Sequence, residues 1–505
     1  MKNILYGNVL AKNADCIFYS VIAVALIICG FNLFLSSHCL ADQAEHIKAS
    51  FLIGSGLIPY RDFFEHHNPL MWFILVPLVG LFKNNLIIFL ILKFVSYALY
   101  ILLFYTVYKL TEKFLFGEKS AKLAIISLIS VPFILLETSV IRPDIFMHLC
   151  FMAGLYFFYS YLSNHKRNNL IISYLLMTLS VLFLQKILIL CFGFALTNLY
   201  LLIEKEIKIK DFAISAVCAL IPLFLFIGYF YHYDALGDWF YYNFIFNAKM
   251  QEYYGNFTGV FIETKLYTLV AVFCILINLP KNKNGKIYAF IFLFQAISLL
   301  IWRPHLQYYL SFWIFAAPLI GYTLAQKIRF NWHYIVLITL AVISLFLIVP
   351  NKDSVSEYEK YMADAKYILK RKNNDTVLDF GTYPADVFGS INQYYWFGFQ
   401  NVVIIDILTN NRDYLELNSF MKETKPEIIR YIKHNTPVLT DMIVIDNVNF
   451  FRRRNILVLN KAANNPDFLS KLIKIDVDFW EIDEQWIADN YTRIDNLNIW
   501  RKNHD

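Results

Sequence analysis

Cysteine is scarce and stops early. The seven residues at 16, 29, 39, 150, 191, 218 and 274 are the full complement, mostly inside apolar runs, and none follows Cys274. No disulfide framework can therefore stabilise the last part of the chain, and without any Cys-x-x-Cys spacing there is no thiolate clamp for a metal. Charge is also thin: 17% of residues are charged, against 58% hydrophobic and 18% aromatic, with a mean hydropathy of +0.48. A soluble globule does not need that much apolar surface. Internal repeats and low-complexity tracts are missing as well, so nothing marks the related halves that many transporters carry.

What is present is a series of apolar runs approaching the ~20 residues that cross a bilayer. They recur through the first 350 positions and then end, which predicts a polytopic α-helical membrane protein with a soluble tail. Expected spans lie near 17–36, 86–108, 123–140, 144–163, 170–184, 186–203, 211–231, 264–279, 287–302, 308–325 and 334–350, eleven to thirteen in all depending on how short runs are treated. With that count the basic loops fall on one side: Lys109 to Lys122, His165-Lys166-Arg167, Glu204 to Lys210, Lys281 to Lys286, and Gln326-Lys327-Ile328-Arg329. Loops retaining Lys and Arg are cytoplasmic, so the N-terminus is expected in the cytoplasm and residues 351–505 outside, in the periplasm. The count holds only if Leu70 to Phe82, with Pro77 inside it, lies at the interface and does not cross. The first span reads as an uncleaved anchor, because Ser36-Ser37-His38-Cys39 puts histidine where a lipoprotein cleavage site needs a small residue.

Outside the apolar runs, ionisable residues gather at the outer ends of spans. Asp42 and Glu45 are three apart and share a face of any helix following the first span, where either could serve as a general base. Pro59 to Pro69 adds Arg61, Glu65, His66 and His67, a set suited to holding a phosphate. Arg142-Pro143-Asp144 stands at the mouth of two spans, and Asp144 reads either as a functional carboxylate or as the favourable negative charge at a helix start. Gln185-Lys186 interrupts apolar sequence, with the lysine snorkelling or neutralising an anion. Arg303-Pro304-His305-Leu306-Gln307-Tyr308 forms a second cationic mouth. Cations that neutralise a departing phosphate and a carboxylate that deprotonates the attacker fit transfer from a lipid-phosphate donor.

These stretches, Asp42 to His46, Pro59 to Pro69, Arg142 to Asp144, Gln185-Lys186 and Gln307 to Tyr309, together resemble the GT-C glycosyltransferases. The similarity is to the bacterial branch related to protein O-mannosyltransferases and to the aminoarabinose transferase of lipid A. It implies a membrane GT-C catalytic domain over 1–350, with 37–85 as first outer loop, followed by an extracytoplasmic soluble domain over 351–505. It further implies a polyprenyl-phosphate sugar donor, a lipid, glycan or protein acceptor on the outer face, and an inverting single displacement with Asp42 as base. Asp144 matches a second acidic residue of the cavity. Where relatives carry a lysine after the Glu65 motif this chain has His66, leaving the donor-phosphate ligand among His66, His67 and Lys186, beside Arg61, Arg303 and His305. Glu65, Arg142, Gln185, Gln307 and Tyr308 are expected to contact substrate. No metal or other cofactor is implied; carboxylates 42, 45 and 144 could share a divalent cation only if folding brought them together. No nucleic-acid partner is expected.

The tail predicts an amphipathic helix over Ser354 to Lys370, short strands at Thr376 to Asp379, Val402 to Ile405 and Met442 to Ile445, and a helix over Pro426 to Lys433, hence a small α/β or α+β domain. The competing functional readings are a transporter or flippase for a lipid-linked sugar, whose charges belong at the bilayer midplane, and a non-catalytic scaffold, which leaves the ionisable mouths without a purpose.

Overall fold

The computed structural model of the chain describes residues 2–35, 40–63, 65–248, 269, 272, 276–301, 306–327, 331–349, 352–371, 377–379, 385, 387–389, 422, 425, 428–430, 484–494, 497 and 499–503. The expected span at 264–279 and the strands at Val402 to Ile405 and Met442 to Ile445 lie largely or wholly outside them. Contacts divide the chain into two compact units: one of Met1–His38, Leu90–Phe226 and Glu263–Val355, the other of Cys39–Phe89, Ile227–Ile262 and Ser356–Asp505.

The first unit is helical. It contains α1 (Lys2–Leu35), most of α4 (Ile87–Leu110), α5 (Glu118–Ile129), α6 (Pro132–Glu137), α7 (Pro143–Asn164), α8 (Arg167–Phe183), α9 (Leu188–Ile203) and most of α10 (Ile209–His232), then α12 (Lys283–Ile301), α13 (Leu306–Lys327) and α14 (Asn331–Leu347). Among the described residues four helical stretches are long and apolar enough to cross a membrane: Ile87–Leu115, Pro143–Asn164, Gln185–Ile203 and Ile209–His232. They coincide with four expected spans. Leu70–Leu81, Arg167–Phe183, Phe18–Phe34 and Ile338–Leu347 are apolar but shorter.

Helix breaks follow local chemistry. The expected single span 123–140 is two helices, because Pro132 lacks the N–H needed to continue α5 and starts α6 after an extended Val131 (φ −107°, ψ 104°). Pro143 likewise occupies the first turn of α7 after an extended Arg142. Between α8 and α9, Leu184 is extended and Gln185–Ile187 forms a single 3₁₀ turn, so the polar pair sits where the helical ladder is interrupted.

Within this unit α7 packs on α8 and α5 on α13. The α5–α13 approach is close enough that a Cβ at Gly321 would lie 2.2 Å from the Ser120 carbonyl and 2.8 Å from the Ala124 amide. Small residues permit this kind of backbone contact between membrane helices.

The second unit holds α2 (Leu40–Gly54), α3 (Leu70–Leu81), α11 (Leu236–Phe240) continued by a π-helical turn Tyr241–Phe246, most of α15 (Lys352–Arg371), α16 (Glu484–Asn490) and a four-stranded sheet. Twelve residues make α3, too few to cross hydrocarbon, and Met71, Trp72, Leu75 and Val79 are its buried positions. It packs against α2.

The sheet has order β1 (Val377–Asp379), β2 (Ile428–Arg430), β4 (Ile499–Lys502), β3 (Tyr491–Arg493), with β1 and β2 parallel and the other pairs antiparallel. Within the expected helix Pro426 to Lys433, the described residues Ile428–Arg430 form a strand instead. The β-branched pair Ile428-Ile429 is flanked by two partner strands, and that pairing outweighs the helix-start signal of Pro426.

Candidate active site

In the second unit the site begins with α2, whose face presents Asp42, Glu45 and His46 within one turn. Glu45 and His46 are buried, and Asp42 is half-buried. His46 Nδ1 accepts the indole N–H of Trp72 at 3.0 Å, and because an indole only donates, the remaining imidazole proton sits on Nε2.

The loop after α2 turns on Tyr60, a bulky residue at φ +70°. Such a conformation costs on the order of 1–3 kcal/mol and persists only where surroundings impose it. Here the Tyr60 amide donates to the Phe63 carbonyl at 2.9 Å, the hydroxyl donates to the His67 carbonyl, and the ring stacks on Tyr242. The constrained turn delivers Glu65, His66 and His67 to the Glu45 face of α2.

His67 stands between two carboxylates, its Nδ1 3.3 Å from Glu65 Oε2 and 3.4 Å from Glu45 Oε1. The His66 amide also donates to Glu65 Oε2 at 3.0 Å, and the His66 and His67 rings lie 4.1 Å apart between centroids. Burial works against a charged His67, yet the hydrogen bonds and negative charges of Glu45 and Glu65 prevail and push its pKa up to about 10. His66 has the opposite fate: burial, then the His67 charge, drive it down to about 3, so its ring is neutral. For Glu65 burial pushes upward, but the His67 hydrogen bond and charge prevail and hold the carboxyl below its ordinary value. Glu45 is held well above, by burial and then by the Glu65 charge, with Asp42 adding to the repulsion. Two adjacent carboxyls are thus set apart, one ionised and one inclined to keep its proton.

The segment Tyr233–Asn247 clamps this loop. Asn247 Nδ2 donates to the His66 carbonyl at 2.7 Å, Trp239 Nε1 to Asn68 Oδ1 at 3.2 Å, and Arg61 Nη1 to the Tyr233 carbonyl at 2.8 Å. Arg61 is also paired with Asp62 at 2.8 Å, so part of its guanidinium is engaged at the rim of the loop. Glu65, His66 and His67 offer ligand atoms within 4.8 Å of one another and could hold a cation once His67 gave up its proton.

In the first unit a buried ion cluster surrounds Asp144. Lys186 donates to Asp144 Oδ1, Arg142 Nε lies 3.6 Å from its other oxygen, and Arg142 Nη1 lies 3.8 Å from Glu137. One turn further along α7, His148 Nε2 is 2.7 Å from Ser311 Oγ. Arg142, Asp144, Lys186 and the adjoining Gln185 thus occupy one neighbourhood, created by the N-terminus of α7 and the break before α9. Arg303 and His305 lie outside the described residues, and Gln307 and Tyr308 are in the first turn of α13.

Several participants were not singled out from sequence. His46 lies four residues after Asp42, a helical spacing that places it on the same face. Glu137 and Tyr60 carried no such signal although most of their partners are local, and Trp72, Asn68, Trp239 and Asn247 carried none because their partners lie far along the chain.

Residues 66–232 match the family described as dolichyl-phosphate-mannose-protein mannosyltransferase. No curated protein sequence matches the chain. Among solved structures, the crystal structure of ArnT from Cupriavidus metallidurans bound to undecaprenyl phosphate is similar at 14% identity and a TM-score of 0.48, with 77% of each chain covered. The matched segment starts in the histidine loop and contains the Asp144 cluster, so over about a third of its length this integral membrane chain is similar to that mannosyltransferase family.

Proposed function

We propose that the protein transfers a sugar from a polyprenyl-phosphate donor to a lipid, glycan or protein acceptor on the outer face of the membrane, in a single inverting displacement. The observation that carries this reading is the family match over 66–232, since that family's description specifies a dolichyl-phosphate-linked sugar and the matched segment includes His66, His67, Arg142, Asp144 and Lys186.

In the step itself an acceptor oxygen forms a bond to the anomeric carbon while the bond from that carbon to the phosphate oxygen breaks, the electron pair leaving with phosphate. The acceptor proton passes to the carboxylate of Asp42. Glu45 is the poorer base, because burial and its acidic neighbours favour its protonated form. The His67 imidazolium supplies positive charge beside the departing phosphate, and neutral His66 can donate or accept a hydrogen bond there. Glu65 Oε1 is buried and accepts no hydrogen bond among the described residues, which suits it to a sugar hydroxyl. Asp144, with Arg142 and Lys186, is assigned to substrate orientation and charge compensation.

The test is transfer by Asp42→Asn in membranes supplied with a radiolabelled polyprenyl-phosphate sugar. Loss of a general base lowers turnover by about 10²- to 10⁴-fold. Wild-type turnover by this variant removes Asp42 as base, and passage of the lipid across the bilayer without any glycosylated product replaces the enzyme with a flippase.

A further inference from the structure

Lys48 lies one turn beyond Glu45 on α2 and is completely buried, at 0% exposure. Removing an ammonium group from water costs several kcal/mol unless good acceptors compensate it. Its Nζ donates to the carbonyl of Gly389, in the tail segment Ala385–Gly389. One further turn along α2, the ring of Phe51 meets Phe388 edge-on at 5.6 Å between centroids. Ala385, Val387 and Phe388 are themselves buried. A second grip reaches the beginning of α2: Tyr361 of α15 packs edge-on against Phe89 at 5.7 Å, and the Phe89 carbonyl accepts a hydrogen bond from Gln43 Nε2 at 2.7 Å. Asp42, Glu45 and His46 lie on the turns between or beside these attachments.

We infer that Lys48 is a positioning residue, tying the helix that carries Asp42 and Glu45 to the tail segment Ala385–Gly389 so that the soluble tail fixes the base. The inference rests on the transfer reaction proposed above. Packing alone does not require a lysine: methionine has similar length and volume without the desolvation cost, and replacing a buried charge by an apolar residue is often neutral or stabilising. A misplacement of about 1 Å, however, can lower turnover by on the order of 10²-fold.

Lys48→Met and Lys48→Gln in the full chain separate these roles. Lys48→Met is expected to keep or raise the melting temperature, leave the donor KM within about twofold, and lower kcat by about 10- to 100-fold, the cost of a small displacement of the reacting group. Lys48→Gln, which retains an N–H donor toward the Gly389 carbonyl, is expected to recover most of that loss. Wild-type kcat in Lys48→Met, or equal loss in both variants, overturns the inference. Hydrogen exchange of the 385–389 peptide gives a readout independent of catalysis: it should speed up at least tenfold in Lys48→Met and stay near wild type in Lys48→Gln, and unchanged exchange in Lys48→Met sinks the tie. A wild-type protein that transfers no polyprenyl-linked sugar while showing this exchange pattern would overturn the enzymatic reading and leave the tie standing.

Discussion

His67 holds a proton between Glu45 and Glu65, while His66, in ring contact with it, refuses one. The two should leave opposite marks on stability. His67 is raised in the folded protein to about 10 from an ordinary 6.5, so its stabilising contribution is complete below pH 6.5 and disappears as pH rises toward 10. His66 is lowered to about 3, so between pH 6.5 and 3 the unfolded chain binds a proton that the folded one does not, and stability falls as pH falls. Melting of the detergent-solubilised protein across pH should therefore show two separable limbs. His67→Gln is expected to flatten the alkaline limb and His66→Asn the acid limb, and either variant running parallel to wild type across its own window would contradict the assignment. The ingredients were visible as residue types in the loop from Pro59 to Pro69. Which histidine takes the proton was not, because that depends on Glu45 reaching Nδ1 of His67 from another element.

At the scale of elements, proline and glycine explain much of what the sequence disclosed and what it concealed. Pro143 and the Gln185-Lys186 interruption mark real helix boundaries, and both place charged groups around Asp144. Pro132 was as informative, but the apolar run from 123 to 140 hid the break. Pro426 misled in the other direction, since strand pairing on both sides of Ile428-Ile429 is a tertiary effect absent from any local window. Gly321 shows no motif at all. Its purpose is visible only as the contact of α13 with the backbone of Ser120 and Ala124. Those neighbours are main-chain atoms in a helix and cannot turn aside as a flexible side chain would. Gly321→Ala should lower the melting temperature, with a cost on the order of 1–3 kcal/mol from overpacking, and Gly321→Leu should prevent accumulation of folded protein. Size-exclusion profiles and thermal melts in detergent check this; an unchanged melt for Gly321→Ala would mean that α5 and α13 do not approach so closely.

For the whole molecule, mean hydropathy and the spacing of basic loops carried the reading of a polytopic membrane protein, because both are properties of solvent transfer that need no tertiary structure. The grouping of Cys39–Phe89 and Ile227–Ile262 with the tail is different in kind, since it joins segments far apart in the chain. We propose the sidedness that the basic loops imply. Lys166 stands in one of the basic connections, between α7 and α8, and Asn503 follows the last strand; both are exposed. If basic loops are retained in the cytoplasm, a single cysteine introduced as Asn503→Cys in a background lacking the native cysteines should react with a membrane-impermeant maleimide in intact cells whose outer membrane has been permeabilised. Lys166→Cys should react only after the inner membrane is lysed. The proposed transfer requires the same sidedness, because in that proposal a donor whose lipid stays in hydrocarbon and an acceptor on the outer face meet Asp42 on that side. Labelling in the reverse pattern would put the α2 carboxylates in the cytoplasm and with them the proposed transfer, so this one measurement bears on topology and function together.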